Sequence, residues 1–213
     1  MQPWMKHVEM RVRTAVPFPV KMLVRAVRAL ASPHPESPSL PADLVGDCRM
    51  CATREDLLNH LPKGAVVAEL GTETGKFARE ILDRTAPERL HLIDIDFSKT
   101  DPAVMRDPRV TCHNGLTYAT LGQFPDAHFD WIYVDADHSY AGVMRDARAS
   151  MPKLKPGGYL VFNDFAHIDP LLGRYGVHRA VVEFAIAERW PMHYFAFNGA
   201  ALYDVALRKA PVA

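Results

Sequence analysis

Between residues 65 and 164 short apolar runs alternate with amphipathic stretches, and nothing else in the chain constrains its fold so strongly. The runs AVVAEL (65–70), RLHLID (89–94), RVTCH (109–113), DWIYVD (130–135) and GYLVFND (158–164) have the length and composition of strands. The stretches between them, about 75–85, 102–107, 117–122 and 140–151, read as helices. Such alternation predicts an α/β fold with a parallel sheet covered on both faces. Within DWIYVD, Trp131 and Tyr133 face opposite to Ile132 and Val134 and read as core. The end of the chain changes character. VHRAVVEFAIAERW predicts a helix, and HYFAF (193–197) and ALYDVALR (201–208) then flank Asn198-Gly199-Ala200. Asn and Gly both tolerate positive φ, so an antiparallel hairpin is expected.

Upstream, the four prolines and three serines of ASPHPESPSLP (31–41) cannot continue a helix and read as an extended connector. They divide the chain into an N-terminal extension, 1–41, and a main domain, 42–213. In VKMLVRAVRAL, Val20, Leu23, Val24, Val27 and Leu30 share one helical face, and Lys21, Arg25 and Arg28 another. Three placements suit such a helix: packing on the main domain or on a second subunit, lying on an acidic membrane surface, or covering an active site as a lid. ATREDLLNHL (52–61) predicts a further helix, with Thr53 as N-cap and Asp56 three residues on.

A formal net charge of zero argues against a general nucleic-acid binder. No apolar run is long enough to span a bilayer, and Lys21, Arg25 and Arg28 interrupt what would be a signal peptide's core, so a cytoplasmic protein is expected. Three cysteines do not suggest a disulfide scaffold. Cys48-Arg-Met-Cys51 has CxxC spacing, but a zinc knuckle needs a second ligand pair and a redox site needs a strand–helix context, which this stretch lacks. Ordinary reduced thiols are expected there.

The segment VAELGTETGKFARE (67–80) joins a strand to a helix through a glycine loop. A dinucleotide fingerprint needs its second glycine for the approach of a pyrophosphate, and Glu73 occupies that position. The phosphate-loop pattern is absent too, because Phe77 stands where Ser or Thr is required. A ligand with a ribose, an amino-acid moiety and no phosphate fits better. Glu69 can accept from an ammonium, Gly71 and Gly75 let the backbone come close, and Asp94, 23 residues after Gly71, is placed to accept from ribose hydroxyls. S-adenosylmethionine is such a ligand.

Over about residues 53–208 the chain resembles class I S-adenosylmethionine-dependent methyltransferases. Glu69-Leu-Gly71-Thr-Glu73-Thr-Gly75 is similar to their first motif, with the middle glycine replaced, and KLKPGGYLVFND to their turn and fifth strand. In HNGLT, Leu116 stands where an acid often orients the adenine. The resemblance implies a Rossmann-like sheet, mostly parallel with a C-terminal antiparallel hairpin. It also implies a cofactor site formed by Glu69, Gly71, Thr72, Glu73, Gly75, Asp94, Ile95, Asn114, Gly115 and Asp135.

Two polar clusters fall beyond the carboxyl ends of strands, Asp135-Ala-Asp137-His138-Ser139-Tyr140 and Asn163-Asp164. A hydroxyl is a poor methyl acceptor until a base removes its proton or a metal lowers its pKa. Asp135, Asn163 and Asp164 offer hard oxygen ligands suited to Mg²⁺ or Mn²⁺, and His138 titrates near neutral pH. The clusters resemble those of metal-dependent O-methyltransferases, which implies Asp135, Asn163 and Asp164 as metal ligands and His138 as base; sugar-methylating relatives usually carry Glu where this chain has Asn163. Plainer roles stay open: Asp135 touching only the cofactor's methionine end, Asp137 capping the helix that begins near Ser139, and Asn163-Asp164 satisfying loop backbone. The remaining histidines, among them His113, His128 and His167, are scattered, with no pair at i,i+4; His167 and Asp169 belong to a surface loop or line a substrate pocket.

The sequence thus points to methylation of a small-molecule acceptor, at oxygen if the acid–histidine constellation acts. Methylation of nitrogen without a metal, or a non-catalytic cofactor-binding protein that uses its N-terminal helix as a partner surface, are the alternatives. Asn163-Asp164-Phe165-Ala166 is not the pocket motif of DNA amino-methyltransferases.

Overall fold

The computed structural model describes residues 37–166, 168–169, 173–199 and 202–211, with Pro17, Pro19, Val20, Leu23 and Val27 upstream. Strands β1 (Arg49–Cys51), β2 (Val66–Leu70), β3 (Arg89–Asp94), β4 (Val110–Asn114), β5 (Phe129–Val134), β6 (Leu154–Phe162), β9 (Met192–Ala196) and β10 (Asp204–Arg208) form one sheet in the order β1-β9-β10-β6-β5-β2-β3-β4. The five central and distal strands, β6-β5-β2-β3-β4, are parallel, as the alternating pattern predicts. β10 runs antiparallel to both β9 and β6, so the expected hairpin is present, but its second strand starts at Asp204 rather than 201 and neither Asn198 nor Gly199 takes the positive φ expected of a tight turn. A short antiparallel ladder, β7 (Ile168–Asp169) with β8 (Gly173–Arg174), lies in the connection after β6.

Helices α1 (Arg54–His60), α2 (Lys76–Thr85) and α3 (Pro102–Met105) cover one face, burying Leu57, Leu58, Phe77, Ile81, Leu82 and Val104 against the sheet. Helices α4 (Thr117–Leu121), α5 (Tyr140–Lys153) and α6 (Val177–Glu188) cover the other. Strand alternation sorts β5 between them: Trp131 and Tyr133 join the first core, Ile132 and Val134 the second. Thr53 caps α1 as expected, its hydroxyl accepting from the Asp56 amide at 3.1 Å.

Four further expectations need correction. The Cys48–Cys51 segment does have a strand–helix context, because β1 ends at Cys51 and α1 begins at Arg54. Three residues bonded to a single neighbour, β9, leave too little periodicity to read. The two thiols point to opposite faces, Cys48 against one core and Cys51 into the other, and both are free. The cap of α5 is Ser139, whose hydroxyl accepts from the Gly142 amide, while Asp137 accepts from Ser139 N–H one step earlier. β6 starts at Leu154 rather than 158, since Lys155–Gly158 runs extended despite the positive φ of Gly157. His113 and His128 are not scattered: both lie against His91, with His91 Nδ1 2.9 Å from His113 Nε2. In the N-terminal extension the described residues Val20, Leu23 and Val27 are helical and exposed. Val24, Leu30, most of the connector and His167 lie outside the described residues.

Candidate active site

The chain leaves β2 for β3 on one side and returns to β5 on the other, so the sheet has its switch point between β2 and β5. Ligands bind beyond the carboxyl ends of strands at such a point. The glycine loop after β2 and the Asp135–Tyr140 segment after β5 both arrive there. They touch: Asp135 N–H donates to Leu70 O at 2.8 Å, and a side chain on Gly71 would place Cβ 2.2 Å from Asp135 O. Gly71, at φ +87°, therefore admits no substitute without moving a backbone.

Glu73, which replaces the expected glycine, keeps a glycine-like backbone at φ +46°. For a side-chain-bearing residue that conformation costs about 1–2 kcal/mol. The surroundings hold it there. Asp94 Oδ2 accepts from the amides of Thr72 (2.7 Å) and Glu73 (3.1 Å), and Thr100 Oγ1 donates to Glu73 O at 2.7 Å. Asp94 Oδ1 accepts from Asp96 N–H. The residue expected to meet a ribose thus also clasps the loop. Asn114 Nδ2 donates to Ile95 O at 3.0 Å, and Gly115 N–H to Asp94 O, which gathers Ile95, Asn114 and Gly115 beside the loop.

Glu69, next to last in β2, is almost wholly buried, and its Oε2 has no partner among the described residues. Burial, reinforced by the Asp135 and Asp94 carboxylates, pushes its pKa up to about 8. An orphaned buried carboxyl beside a close-approach glycine suits a ligand that brings a cation, as the ammonium of S-adenosylmethionine would. The cofactor residues read from sequence thus fit that group.

The second cluster assembles on the neighbouring strands β5 and β6. His138 Nε2 lies 3.3 Å from Asp135 Oδ1 and 3.6 Å from Asp164 Oδ2, at ion-pair distance but without an aligned hydrogen bond. Its ring stacks on Tyr175, with centroids 4.4 Å apart. Burial lowers the imidazole's affinity for a proton, but Asp135, then Asp164 and Asn163, outweigh it, and the net pKa is raised. Asp164 holds φ +53°, which aims its side chain back toward the histidine.

Asn163 is tied down through its amide nitrogen. Its amide donates to Tyr133 Oη at 3.0 Å and approaches Asp204 Oδ1 at 3.4 Å, while Tyr133 Oη donates to Asp204 Oδ2 at 2.5 Å. Asp204 is buried, which raises its pKa to about 7. Asn163 is engaged in that network, and an imidazole nitrogen lies between Asp135 and Asp164. The nitrogen between two carboxylates suits a protonated histidine, while Asn163 Oδ1 and the two carboxylates are the oxygens a divalent cation would take. Tyr133 and Asp204 were not legible as site residues. The one signal was an acid opening a strand, DVALR, whose next three residues are apolar and buried.

Among the described residues no helix is long and apolar enough to cross a membrane. Residues 68–165 match the family model described as a methyltransferase domain. No curated protein sequence matches the chain. Among solved structures, the fold is similar to that of an S-adenosylmethionine-dependent methyltransferase from Mesorhizobium loti, at 16% identity over 72% of this chain and 96% of that one, with a TM-score of 0.54. An O-methyltransferase family protein from Burkholderia thailandensis aligns at 11% identity over 75% of this chain and 56% of that one, with a TM-score of 0.57. From the same organism, 1,6-didemethyltoxoflavin-N1-methyltransferase, solved with its substrate and S-adenosylhomocysteine, aligns at 16% identity over 73% and 76%, with a TM-score of 0.56. Residues 68–165 thus match a methyltransferase-domain model, and the sheet around them has the Rossmann-like fold of solved S-adenosylmethionine-dependent methyltransferases.

Proposed function

We propose that this protein transfers a methyl group from S-adenosylmethionine to a hydroxyl oxygen of a small molecule, with His138 as general base. Residues 42–213 act as the catalytic domain in this reading, and 1–41 as an extension. One observation carries it. A buried imidazole nitrogen sits between two carboxylates at the ends of adjacent strands, in a segment whose backbone touches the glycine loop.

S-adenosylmethionine supplies an electrophilic methyl group on a sulfonium. The chain's own part is to hold that group, seat the acceptor and take one proton. Gly71 and the Asp94-clasped loop give the backbone surface, and the Glu69 carboxyl, once ionised, pairs with the ammonium. Neutral His138 accepts the acceptor's hydroxyl proton at Nε2 as the oxygen attacks. The resulting imidazolium is stabilised by Asp135 and Asp164, which is the state their placement favours. The proton then passes to solvent. Asn163 donates through Nδ2 to the buried Tyr133–Asp204 pair, so its Oδ1, with the Asp135 and Asp164 carboxylates, would be what holds a divalent cation; the proton transfer to His138 does not require one.

The test is calorimetric titration with S-adenosylhomocysteine, followed by turnover of hydroxyl and amine acceptors by wild type and His138→Ala, with and without EDTA. Binding, with turnover of a hydroxyl acceptor that collapses in the variant and ignores EDTA, is expected. Turnover of an amine that survives His138→Ala would make the protein an N-methyltransferase. Binding without any turnover would make it a non-catalytic cofactor binder.

A further inference from the structure

A second constellation lies away from that site, where edge strand β1 meets helix α1. Cys51 ends β1 with its thiol buried, and Asp56 and His60, at i and i+4 of α1, present one face of the helix toward it. One ligand atom from each lies within 4.8 Å of the others, the one group of three or more candidate metal donors so gathered among the described residues. We propose that Cys51, Asp56 and His60 form a zinc site that clips the edge strand of the sheet to helix α1.

The supporting geometry is specific to each ligand. Asp56 Oδ2 accepts from Ala52 N–H at 3.0 Å, which fixes the carboxylate and turns Oδ1 toward His60 Nε2, 3.9 Å away. A backbone donor orienting the far oxygen is the outer support that metal-bound carboxylates carry. The His60 ring stacks on Tyr194 of β9, with centroids 5.7 Å apart and planes 21° apart, so the imidazole is positioned by the sheet. Tetrahedral zinc with bonds of about 2.0–2.3 Å spaces its ligands by roughly 3.3–3.8 Å. Closing from 4.8 Å therefore asks for about 1 Å of side-chain adjustment, which His60, exposed on the helix, can make. A thiolate, an imidazole and one carboxylate select zinc over magnesium or calcium. On binding, the Cys51 thiol gives its proton to solvent and the thiolate becomes the ligand. Cys48 is not the fourth ligand, because strand alternation turns it to the opposite core; a water completes the site.

The clip has a structural purpose. β1 is hydrogen-bonded to β9 alone, and α1 begins with Arg54, whose guanidinium lies 4.7 Å from the centroid of Phe77, in the core that also holds Tyr133. Tying β1 to α1 fixes the helix that carries Arg54. The inference stands whether or not the protein transfers methyl groups.

The experiment titrates metal-free, full-length protein with Co²⁺ and follows the near-ultraviolet thiolate-to-cobalt charge-transfer band, then displaces cobalt with Zn²⁺. One equivalent is expected to raise the band. It should persist in Cys48→Ser and Cys112→Ser and disappear in Cys51→Ser. Zinc at about a hundredfold excess over its Kd should raise Tm by about 5–10 °C. Should Cys51→Ser fail to fold, His60→Gln at an exposed position carries the test, and must weaken binding more than about tenfold. Absence of the band in folded wild type, its survival in Cys51→Ser, or unchanged affinity in His60→Gln would overturn the proposal.

Discussion

His138 can take a proton only after losing its own, and its two acidic neighbours delay that loss. Burial alone would release the proton early; Asp135, Asp164 and Asn163 more than reverse this. The rising limb of kcat/KM against pH is therefore expected above the ordinary histidine value of about 6.5. Asp164→Asn removes one carboxylate while keeping a residue that tolerates φ +53°, so the limb should move to lower pH. His138→Ala should lower turnover by about 10²–10⁴-fold and leave S-adenosylhomocysteine affinity unchanged. Glu69 makes a complementary prediction. With its pKa at about 8, the free protein holds it mostly neutral at pH 7, and an arriving ammonium favours the ionised form. Binding should then release a proton, seen as a dependence of calorimetric heat on the buffer's ionisation enthalpy. Glu69→Gln should abolish that dependence; an unchanged dependence would place the released proton elsewhere.

At the scale of the element, the glycine loop is held in a conformation its sequence resists. Glu73 sits at positive φ because Asp94 and Thr100 bond both its N–H and its C=O. Glu73→Gly should relieve about 1–2 kcal/mol of strain against the entropy a glycine adds to the unfolded chain, a net gain of up to about 1 kcal/mol that raises Tm while the ligand still binds. Gly71→Ala should do the opposite, since its Cβ would lie 2.2 Å from Asp135 O, and binding of S-adenosylhomocysteine by calorimetry should be lost. The elements themselves were largely legible. The central strands declare themselves because burial on both faces demands unbroken apolar runs; the hairpin was read from Asn198-Gly199 between two strand-like runs, but its strands pair across a longer connection, 197–203, in which neither residue has positive φ. β1 was illegible: three residues at an edge, with Arg49 and Met50 exposed, carry no pattern. The site was legible wherever its residues stand at a strand's end, as Glu69, Asp94, Asp135 and Asp164 do. Asp204 was not, because 71 residues separate it from Tyr133, and only the antiparallel pairing of β10 with β6 brings the two together. The contact of His91 with His113 depends in the same way on β3 lying beside β4.

Across the whole molecule, buried titratable groups act on stability in opposite directions on the two sides of neutrality. His91 has its pKa lowered to about 4, chiefly by burial and then by His113 and His128. The unfolded chain binds that proton near pH 6.5, so His91's contribution is intact above 6.5 and lost as pH falls toward 4. Glu69 and Asp204 have the reverse sign. Their native pKa values, about 8 and about 7, stand above the unfolded ones, so what they contribute is complete below about pH 4 and disappears as pH rises through 7 and 8. His138, also raised, adds to them. Between pH 4 and 6.5 the two effects oppose, and His91→Phe isolates the first: it should raise Tm relative to wild type at pH 5 and not at pH 7.5. Above 6.5 His91 no longer contributes a slope, and Tm should fall steadily to pH 8.5. Asp204→Asn should reduce that fall. Saturating S-adenosylhomocysteine should reduce it further, because its ammonium compensates the charge that Glu69 acquires. A Tm flat from pH 6.5 to 8.5 in the unliganded protein would mean that neither carboxyl is held neutral, and the ammonium pocket assigned to Glu69 would lose its physical basis.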